Sequence, residues 1–150
     1  MTENDLKVFV DAVTHYFSHL TREPATIRAA YLADGGAAPV LQYTGRIDVS
    51  GRLRGSVHFS ARRPMLFDLL REAQEPDTSE DNLLDAVGEI ANTIAGNARR
   101  HFGSALDISV PVTANGAGVT NGVRARPFVI QLRWGGHDGL VVVDLEATAG

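Results

Sequence analysis

The two side chains best suited to chemistry are a carboxylate and a carboxamide, Glu89 and Asn92, which stand three residues apart. Residues at this spacing are neighbours on one face of a helix. A carboxamide does not titrate, but it donates and accepts hydrogen bonds at once, so it could fix the position of a water molecule. A carboxylate one turn away could anchor a lysine of a partner protein. The pair allows a water-positioning role, and a merely solvated helix face is the alternative.

Both residues lie in the longest helical pattern of the chain, residues 78–103. At about 100° per residue, the apolar side chains form one continuous arc, and a narrow polar stripe of Asp85, Glu89, Asn92 and Gly96 lies opposite. The arc consists of Leu83, Leu84, Val87, Ile90, Ala91, Ile94, Ala98 and Phe102. The pattern predicts a helix that buries one side and presents the stripe to solvent or to a partner.

Both ends of this helix carry capping and charged residues. Thr78 or Ser79 can cap the start, and Gly103 is a natural stop after a basic last turn. Gly88 and Gly96 lie inside the helix, where each costs about 1 kcal/mol relative to alanine. We therefore expect close packing, or the close approach of a partner backbone, to compensate for that cost.

Length and composition indicate a single domain spanning residues 1–150. Hydrophobic residues make up 44% of the chain, and the net charge of −4 gives no indication of binding to nucleic acid or to an anionic membrane. The absence of cysteine excludes disulfides and thiol chemistry and fits a reducing compartment. Because no apolar run approaches about 20 residues and no signal-peptide pattern is present, we expect a cytoplasmic protein.

The sequence patterns of common cofactor and metal enzymes are missing. The chain has no phosphate-binding glycine motif, no G-x-S-x-G elbow and no HExxH. His15 and His19 stand four residues apart, but no third ligand follows at motif spacing, and surface histidines are the simpler interpretation. The glycine-rich segment 115–122 is interpreted as a hairpin connection. The pair of Glu89 and Asn92 is therefore the remaining candidate site.

The order of segments predicts an α+β protein with a mostly antiparallel sheet packed with helices, in the order α-β-β-β-α-α-β-β-β. Residues 5–20 are predicted as an amphipathic helix with Asn4 at its cap, and Pro64 opens a short helix before the central one. Strands are predicted at 25–33, 40–49, 53–60, 106–112, 127–134 and 140–147, the second with the third and the last two as hairpins.

Residues 83–98, LLDAVGEIANTIAGNA, resemble the signature helix of the CheX/CheC family of chemotaxis phosphatases. The shared features are the acidic and apolar start, the E-x-x-N pair at Glu89 and Asn92, and Gly96. The likeness extends downstream into 106–112, LDISVPV, and upstream into the hairpin with GSVHFS and the short helix after it. The E-x-x-N spacing occurs once, which resembles single-site CheX rather than CheC, which commonly carries two.

The resemblance implies a CheX-like fold and an enzyme that hydrolyses the aspartyl phosphate of a CheY-like response regulator. By this likeness Asn92 orients the attacking water in the regulator's active site, and Glu89 pairs with the regulator's lysine. Mg²⁺ is then held by the regulator's own acidic residues, and this chain needs no cofactor of its own. Gly96 either lets the partner approach closely or packs helix against sheet. Asp85 either borders the contact or is a solvated carboxylate.

The resemblance also implies a homodimer formed through sheet edges. The apolar final strand at 140–147 could supply such an edge, because long apolar edges tend to pair. A central position of this strand in the sheet is the alternative.

Two hypotheses compete with the enzyme. In one, the chain is a module that binds a response regulator without hydrolysing anything. In the other, residues 78–103 form only a packed helix with a polar back. The three hypotheses differ in what substitutions at Glu89 and Asn92 do to binding and to phosphate lifetime.

Overall fold

Three helices and one seven-stranded sheet make up the described part of the chain. The structure is a computed structural model that describes residues 2–33, 39–103, 106–116, 118–119 and 127–148. The elements are α1 (Glu3–Leu20), β1 (Thr26–Leu32), β2 (Tyr43–Gly51), β3 (Leu53–Ala61), α2 (Arg63–Glu72), α3 (Glu80–Phe102), β4 (Leu106–Ile108), β5 (Val112–Asn115), β6 (Phe128–Trp134) and β7 (His137–Ala147).

The strands follow the spatial order β1-β6-β7-β3-β2, and β4 and β5 lie one after the other along the outer edge of β2. All of these pairs are antiparallel. The α+β class, the antiparallel sheet and the predicted order of helices and strands are thus confirmed. Both predicted hairpins are present, as β2 with β3 and β6 with β7.

The helices cover one face of the sheet. Along β6, Ile130 and Leu132 belong to the main core with the helices, whereas Val129 belongs to a smaller cluster with Val142 on the second face. This division follows from the alternation of side chains along a strand. The helices contribute to the main core Phe9, Ala12, Val13, Phe17, Met65, Leu66, Leu69, Leu70, Leu83, Val87, Ile90, Ala91, Ile94, Ala95, Ala98 and Phe102.

The second face of the sheet also holds buried polar side chains. Thr44 and His58 are fully buried, and the Thr44 hydroxyl and both ring nitrogens of His58 have no hydrogen-bond partner within the described residues. Burial, and then the positive charge of Arg46, lower the pKa of His58 to about 4. The imidazole is therefore neutral at pH 7.

The expectation that the final strand supplies a free sheet edge is wrong. β7 pairs with β6 on one side, up to Trp134↔His137, and with β3 on the other, up to Leu53↔Ala147. A central strand buries both faces, which explains its apolar run without any partner. Within the described strands, the outer edges of the sheet belong to β1 and to β4 with β5.

The segment predicted as one strand at 106–112 is two short strands. β4 pairs with the end of β2, from Val49↔Ile108, and β5 with its beginning, from Arg46↔Val112. The register slips by one residue between them. Pro111 lies in the gap and has no N–H to donate to the ladder, so the strand is interrupted there.

Two local predictions also needed correction. α1 is capped by Thr2 rather than Asn4, because Thr2 and Asp5 exchange side-chain and backbone hydrogen bonds in a capping box. The β6–β7 turn consists of residues 135–136 alone, both with positive φ, whereas the sequence suggested a connection over 135–139. The predicted connection at 115–122 lies partly outside the described residues, at 117 and 120–122.

Candidate functional site

The predicted central helix is α3, with caps at both ends. Ser79 is its N-cap, and the Ser79 hydroxyl accepts a hydrogen bond from the backbone N–H of Asn82 at 3.4 Å. At the other end Gly103 has a φ of 79°, which L side chains rarely adopt, and its N–H donates to the Arg99 carbonyl. These local interactions define where the helix begins and ends.

The first turn of α3 is bound to three other elements through Glu80. Its carboxylate accepts hydrogen bonds from Tyr43 of β2 and Arg63 of α2, each at 2.7 Å, and from Asn115 of β5 at 3.1 Å. The hydrogen bond from Tyr43 is the main cause that lowers the pKa of Glu80, since it stabilises the ionised carboxylate. This end of the helix is therefore held in place by charge-assisted hydrogen bonds.

α3 packs tightly against the sheet around Gly88. A Cβ added at Gly45 of β2 would lie 2.5 Å from the Val87 carbonyl oxygen and 2.9 Å from the Gly88 Cα. A Cβ added at Gly88 would lie 2.8 Å from Thr113 Cγ2 and 3.2 Å from Pro111 Cβ. Gly45 has no room for a side chain against the backbone of α3, and Gly88 has little against two side chains. Gly88 thus has the close packing that its helix-propensity cost led us to expect.

α1 runs antiparallel beside α3. The rings of Phe9 and Phe102 lie 6.1 Å apart near the start of α1 and the end of α3, and Tyr16 further along α1 comes near Glu89. Burial, and then the negative charge of Glu89, raise the pKa of the Tyr16 hydroxyl. α1 thus forms one wall beside the polar stripe.

The stripe of Asp85, Glu89, Asn92 and Gly96 lies on the outer side of α3. Asp85 and Glu89 are exposed, and Asn92 and Gly96 are partly exposed. A Cβ at Gly96 would meet no described atom within 4 Å outside the helix's own nearby backbone, so packing against the sheet does not explain this glycine. All four predicted residues lie on one accessible surface.

Thr93 contacts the candidate carboxylate and was missed in the sequence. Its hydroxyl donates to the Glu89 carbonyl oxygen at 2.9 Å and lies 3.4 Å from Glu89 Oε1. Helical i, i+4 spacing was the signal that could have identified it. Tyr16 was also missed, and no local pattern connects it with Glu89, because the two residues meet only through the packing of α1 on α3.

Two surface depressions flank the middle of the stripe. One, of about 590 Å³, lies among the end of α2, α3 and β5 and is bordered by Asp85 and Glu89. The other, of about 550 Å³, lies along the last turns of α3 and is bordered by Asn92 and Gly96. The two predicted catalytic residues therefore lie at the boundary between two differently lined surfaces.

Known proteins place the chain in a family. A family model described as chemotaxis phosphatase CheX matches residues 43–133, which is more than half of the chain and includes α3. The chain belongs to the CheX family. This membership confirms the resemblance identified over residues 83–98. No curated protein sequence gives a significant match.

Solved structures of CheX-type proteins share the fold. A CheX from Desulfovibrio desulfuricans is 20% identical, with a TM-score of 0.79 over 95% of this chain and 99% of that one. A CheX from Vibrio vulnificus is 16% identical, with a TM-score of 0.77 over 95% and 99%. A chain from a CheX–CheY–BeF₃–Mg²⁺ complex of Borrelia burgdorferi is 15% identical, with a TM-score of 0.67 over 94% and 97%.

The described residues show neither a metal-binding cluster nor a membrane-spanning helix. The His15 and His19 rings lie 4.0 Å apart on α1, and among the described residues no group of three or more candidate ligands could hold a metal ion. In the same part of the chain, no helix is long and apolar enough to cross a membrane.

Proposed function

We propose that this CheX-family protein accelerates hydrolysis of the aspartyl phosphate on a CheY-like response regulator. The observation that carries the proposal is the placement of Glu89 and Asn92, accessible and adjacent, on a helix fixed by Glu80 and by the close contact at Gly88. A rigid helix can insert such a pair into a partner's active site without first ordering it, which is what positioning catalysis requires.

In this proposal Asn92 orients the water that attacks the phosphorus. Its carboxamide accepts a hydrogen bond from the water and donates one to a neighbouring oxygen, so the water is held in line with the bond that breaks. The P–O bond to the regulator's aspartate breaks, and the phosphate leaves with the oxygen of the attacking water. Asn92 carries no proton in this step.

Glu89 pairs with the active-site lysine of the regulator in this proposal. Thr93 supports that role, because its hydroxyl lies 3.4 Å from Glu89 Oε1 and restricts the carboxylate on the solvent side of α3. Pairing a lysine with a carboxylate gives a charge-assisted hydrogen bond and therefore contributes to binding as well as to orientation.

We further propose that the regulator supplies the phosphate and its Mg²⁺, and that this chain needs no cofactor of its own. The CheX–CheY–BeF₃–Mg²⁺ complex of Borrelia burgdorferi supports a CheY-like partner, since in it a CheX with the same fold accompanies CheY and a metal ion. The metal would stabilise charge on the phosphoryl oxygens, and Asn92 would act only on the water.

The decay of regulator phosphate, with and without this protein, tests the proposal. We expect Asn92→Ala to fold normally and to lose about 10- to 100-fold of the acceleration, equivalent to about 1.4–2.7 kcal/mol of the barrier. Asn97→Ala is the matched control, because Asn97 points about 140° away from Asn92 around the helix and should keep kcat near wild type. The regulator alone sets the baseline. Equal decay with wild type and Asn92→Ala would refute the enzyme.

Substitutions of the carboxylate separate binding from chemistry. Glu89→Ala should weaken association with the regulator and lower the acceleration, whereas Asp85→Asn, on the same stripe, should have a smaller effect on both. A regulator-binding module without activity is the alternative. It would associate with the phosphorylated regulator and leave the phosphate lifetime unchanged.

We also propose a homodimer through the outer edge of β1. β1 has seven residues and exposes Tyr31 (41%) and Leu32 (39%), whereas β4 and β5 are short and separated by Pro111, features that oppose edge pairing. Light scattering of wild type and Tyr31→Lys should show a dimer converted to a monomer. An unchanged mass would exclude this edge.

A further inference from the structure

On the outer side of α3, acidic residues lie on one side of Asn92 and basic residues on the other. The depression beside Asp85 and Glu89 is also bordered by Glu75, and no lysine, arginine or histidine is among the described residues that line it. Beyond Asn92, the second depression is bordered by Arg99 and Arg100. An acidic surface and a basic surface thus meet at the residue proposed to orient the water.

The basic surface continues onto α1. A groove of about 660 Å³ between α1 and α3 shares Asn97 and Arg100 with the depression beside Asn92. We call the two together the basic groove, whose charged and titratable lining residues are Lys7, Asp11, His15, Arg99, Arg100 and His101. Among the described residues that line the groove, Asp11 is the one carboxylate beside the three cations Lys7, Arg99 and Arg100. In the chain as a whole, by contrast, acidic residues outnumber basic ones.

Stabilisation of α3 explains only part of this charge. Cations in the last turn interact favourably with the helix dipole, and Arg99 also donates to the Leu106 carbonyl at 2.9 Å. The dipole does not explain Lys7, which lies near the positive end of α1. Lys7 and Arg100 have no hydrogen bond or ion pair within the described residues, so neither charge is needed for an internal contact.

A groove that collects cations without internal partners is suited to an acidic surface of another protein. The phosphorylated regulator of the proposed function has such a surface, because a phosphoaspartate and the carboxylates that hold Mg²⁺ cluster at its active site. On the opposite side of Asn92, Asp85 and Glu89 would face a basic group, such as the regulator's lysine. The two surfaces therefore fit one orientation of the partner.

We propose that the basic groove receives the acidic surface around the regulator's active site and sets the direction in which the regulator docks on α3. This inference rests on the proposed function and identifies how its partner is recognised. Charges at the edge of an interface act mainly on the rate of association, and salt screens them over about 8–10 Å. The groove should thus change how fast the regulator arrives and leave hydrolysis in the complex unchanged.

The test uses the charge-reversal variant Lys7→Glu/Arg100→Glu and measures its association with a regulator activated by beryllofluoride and Mg²⁺. We expect association about 10-fold slower than wild type at 50 mM salt, and a difference of less than about 2-fold at 500 mM salt. In phosphate decay, KM should rise while kcat stays within about 2-fold of wild type.

The matched control is Arg62→Glu/Arg133→Glu, which makes the same change in net charge at a different depression, bordered by both arginines and by β7 residues and away from the β1 edge. Both side chains are exposed. The Arg62 side chain makes no hydrogen bond or ion pair among the described residues, and Arg133 makes a single 3.4 Å hydrogen bond to the Gly136 carbonyl, so the control should associate like wild type. Equal slowing in both variants would attribute the effect to net charge and overturn the inference. Unchanged association in Lys7→Glu/Arg100→Glu would overturn it as well.

The proposed function and the proposed docking groove can fail independently of each other. If wild type and Asn92→Ala hydrolyse the phosphate at the same rate, the enzyme is refuted, yet the association rates of the two charge-reversal variants still decide whether the groove directs docking. Thermal unfolding of each variant confirms that the fold is intact, since a merely structural change would lower the unfolding temperature and remain at high salt.

Discussion

Gly88 and Gly96 lie eight residues apart on α3 and have opposite surroundings. A Cβ at Gly88 would collide with Thr113 and come close to Pro111, whereas a Cβ at Gly96 would meet no described atom within 4 Å beyond the helix's own nearby backbone. Each glycine costs the helix about 1 kcal/mol relative to alanine. At Gly88 the cost is offset by packing, and at Gly96 no internal contact in the described structure offsets it.

The difference shows that one helix serves two purposes on its two sides. The packed side, with Gly88 against Gly45, sets the distance between α3 and the sheet. The open side, with Gly96 beside Asn92, leaves room for a partner. We expect substitutions on the packed side to change stability, and substitutions on the open side to change activity.

The largest effect is expected at Gly45, where β2 meets the backbone of α3. Gly45→Ala places a methyl group 2.5 Å from the Val87 carbonyl oxygen, and backbone atoms cannot move aside as a side chain can. We expect a loss of about 3 kcal/mol in the free energy of unfolding, measured by denaturant titration. A loss below about 1 kcal/mol would mean that the helix shifts easily and that the contact does not position it.

The next effect tests the open side. Gly96→Leu should keep the unfolding free energy within about 1 kcal/mol of wild type, because the side chain enters open space. If the regulator docks over this residue, acceleration of phosphate decay should fall at least about 10-fold, or about 1.4 kcal/mol. Glu72→Leu, at an exposed position of α2 that borders neither depression beside the stripe, is the control. Full activity of Gly96→Leu would place the partner elsewhere.

A smaller effect is expected on the packed side. Gly88→Ala gains about 1 kcal/mol of helix propensity but overpacks against Thr113, so we expect a net loss of about 1 kcal/mol in unfolding free energy. In a Thr113→Ser background the colliding Cγ2 is absent, and the loss should shrink or reverse. Additive effects of the two substitutions, measured as a double-mutant cycle, would argue against this contact.

The smallest effect is the same substitution on the open side. Gly96→Ala should raise the free energy of unfolding by about 0.5–1 kcal/mol, since it improves helix propensity and meets no neighbour. Gly88→Ala and Gly96→Ala should therefore change the free energy of unfolding in opposite directions. Thermal unfolding of the two variants side by side is the sharpest test of the comparison. A loss of stability for Gly96→Ala would show that position 96 is packed after all.

Local signals predicted much of this fold because they act within a few residues. The α3 cap at Ser79 and stop at Gly103, the apolar arc and both hairpins followed from spacing and turn chemistry. The break at Pro111 was visible in the sequence, yet its effect depended on pairing with β2, which lies some 60 residues earlier.

Long-range pairing decided what local patterns left open. An apolar strand such as β7 suits either a dimer edge or the middle of a sheet, and only its pairing with β3 and β6 selects the middle. Thr93 could have been found from its spacing to Glu89. Tyr16 and Lys7 could not, since they reach α3 only through the packing of α1.

The sequence by itself determined the central helix, its polar stripe and, through the resemblance carried by Glu89 and Asn92, the CheX family. These depend on helical periodicity and capping, which act over one or two turns. The tertiary structure alone decided which glycine is packed, which strand is central and which charges gather beside Asn92. Such properties arise from contacts between distant segments, where the identity of a residue does not reveal its neighbours.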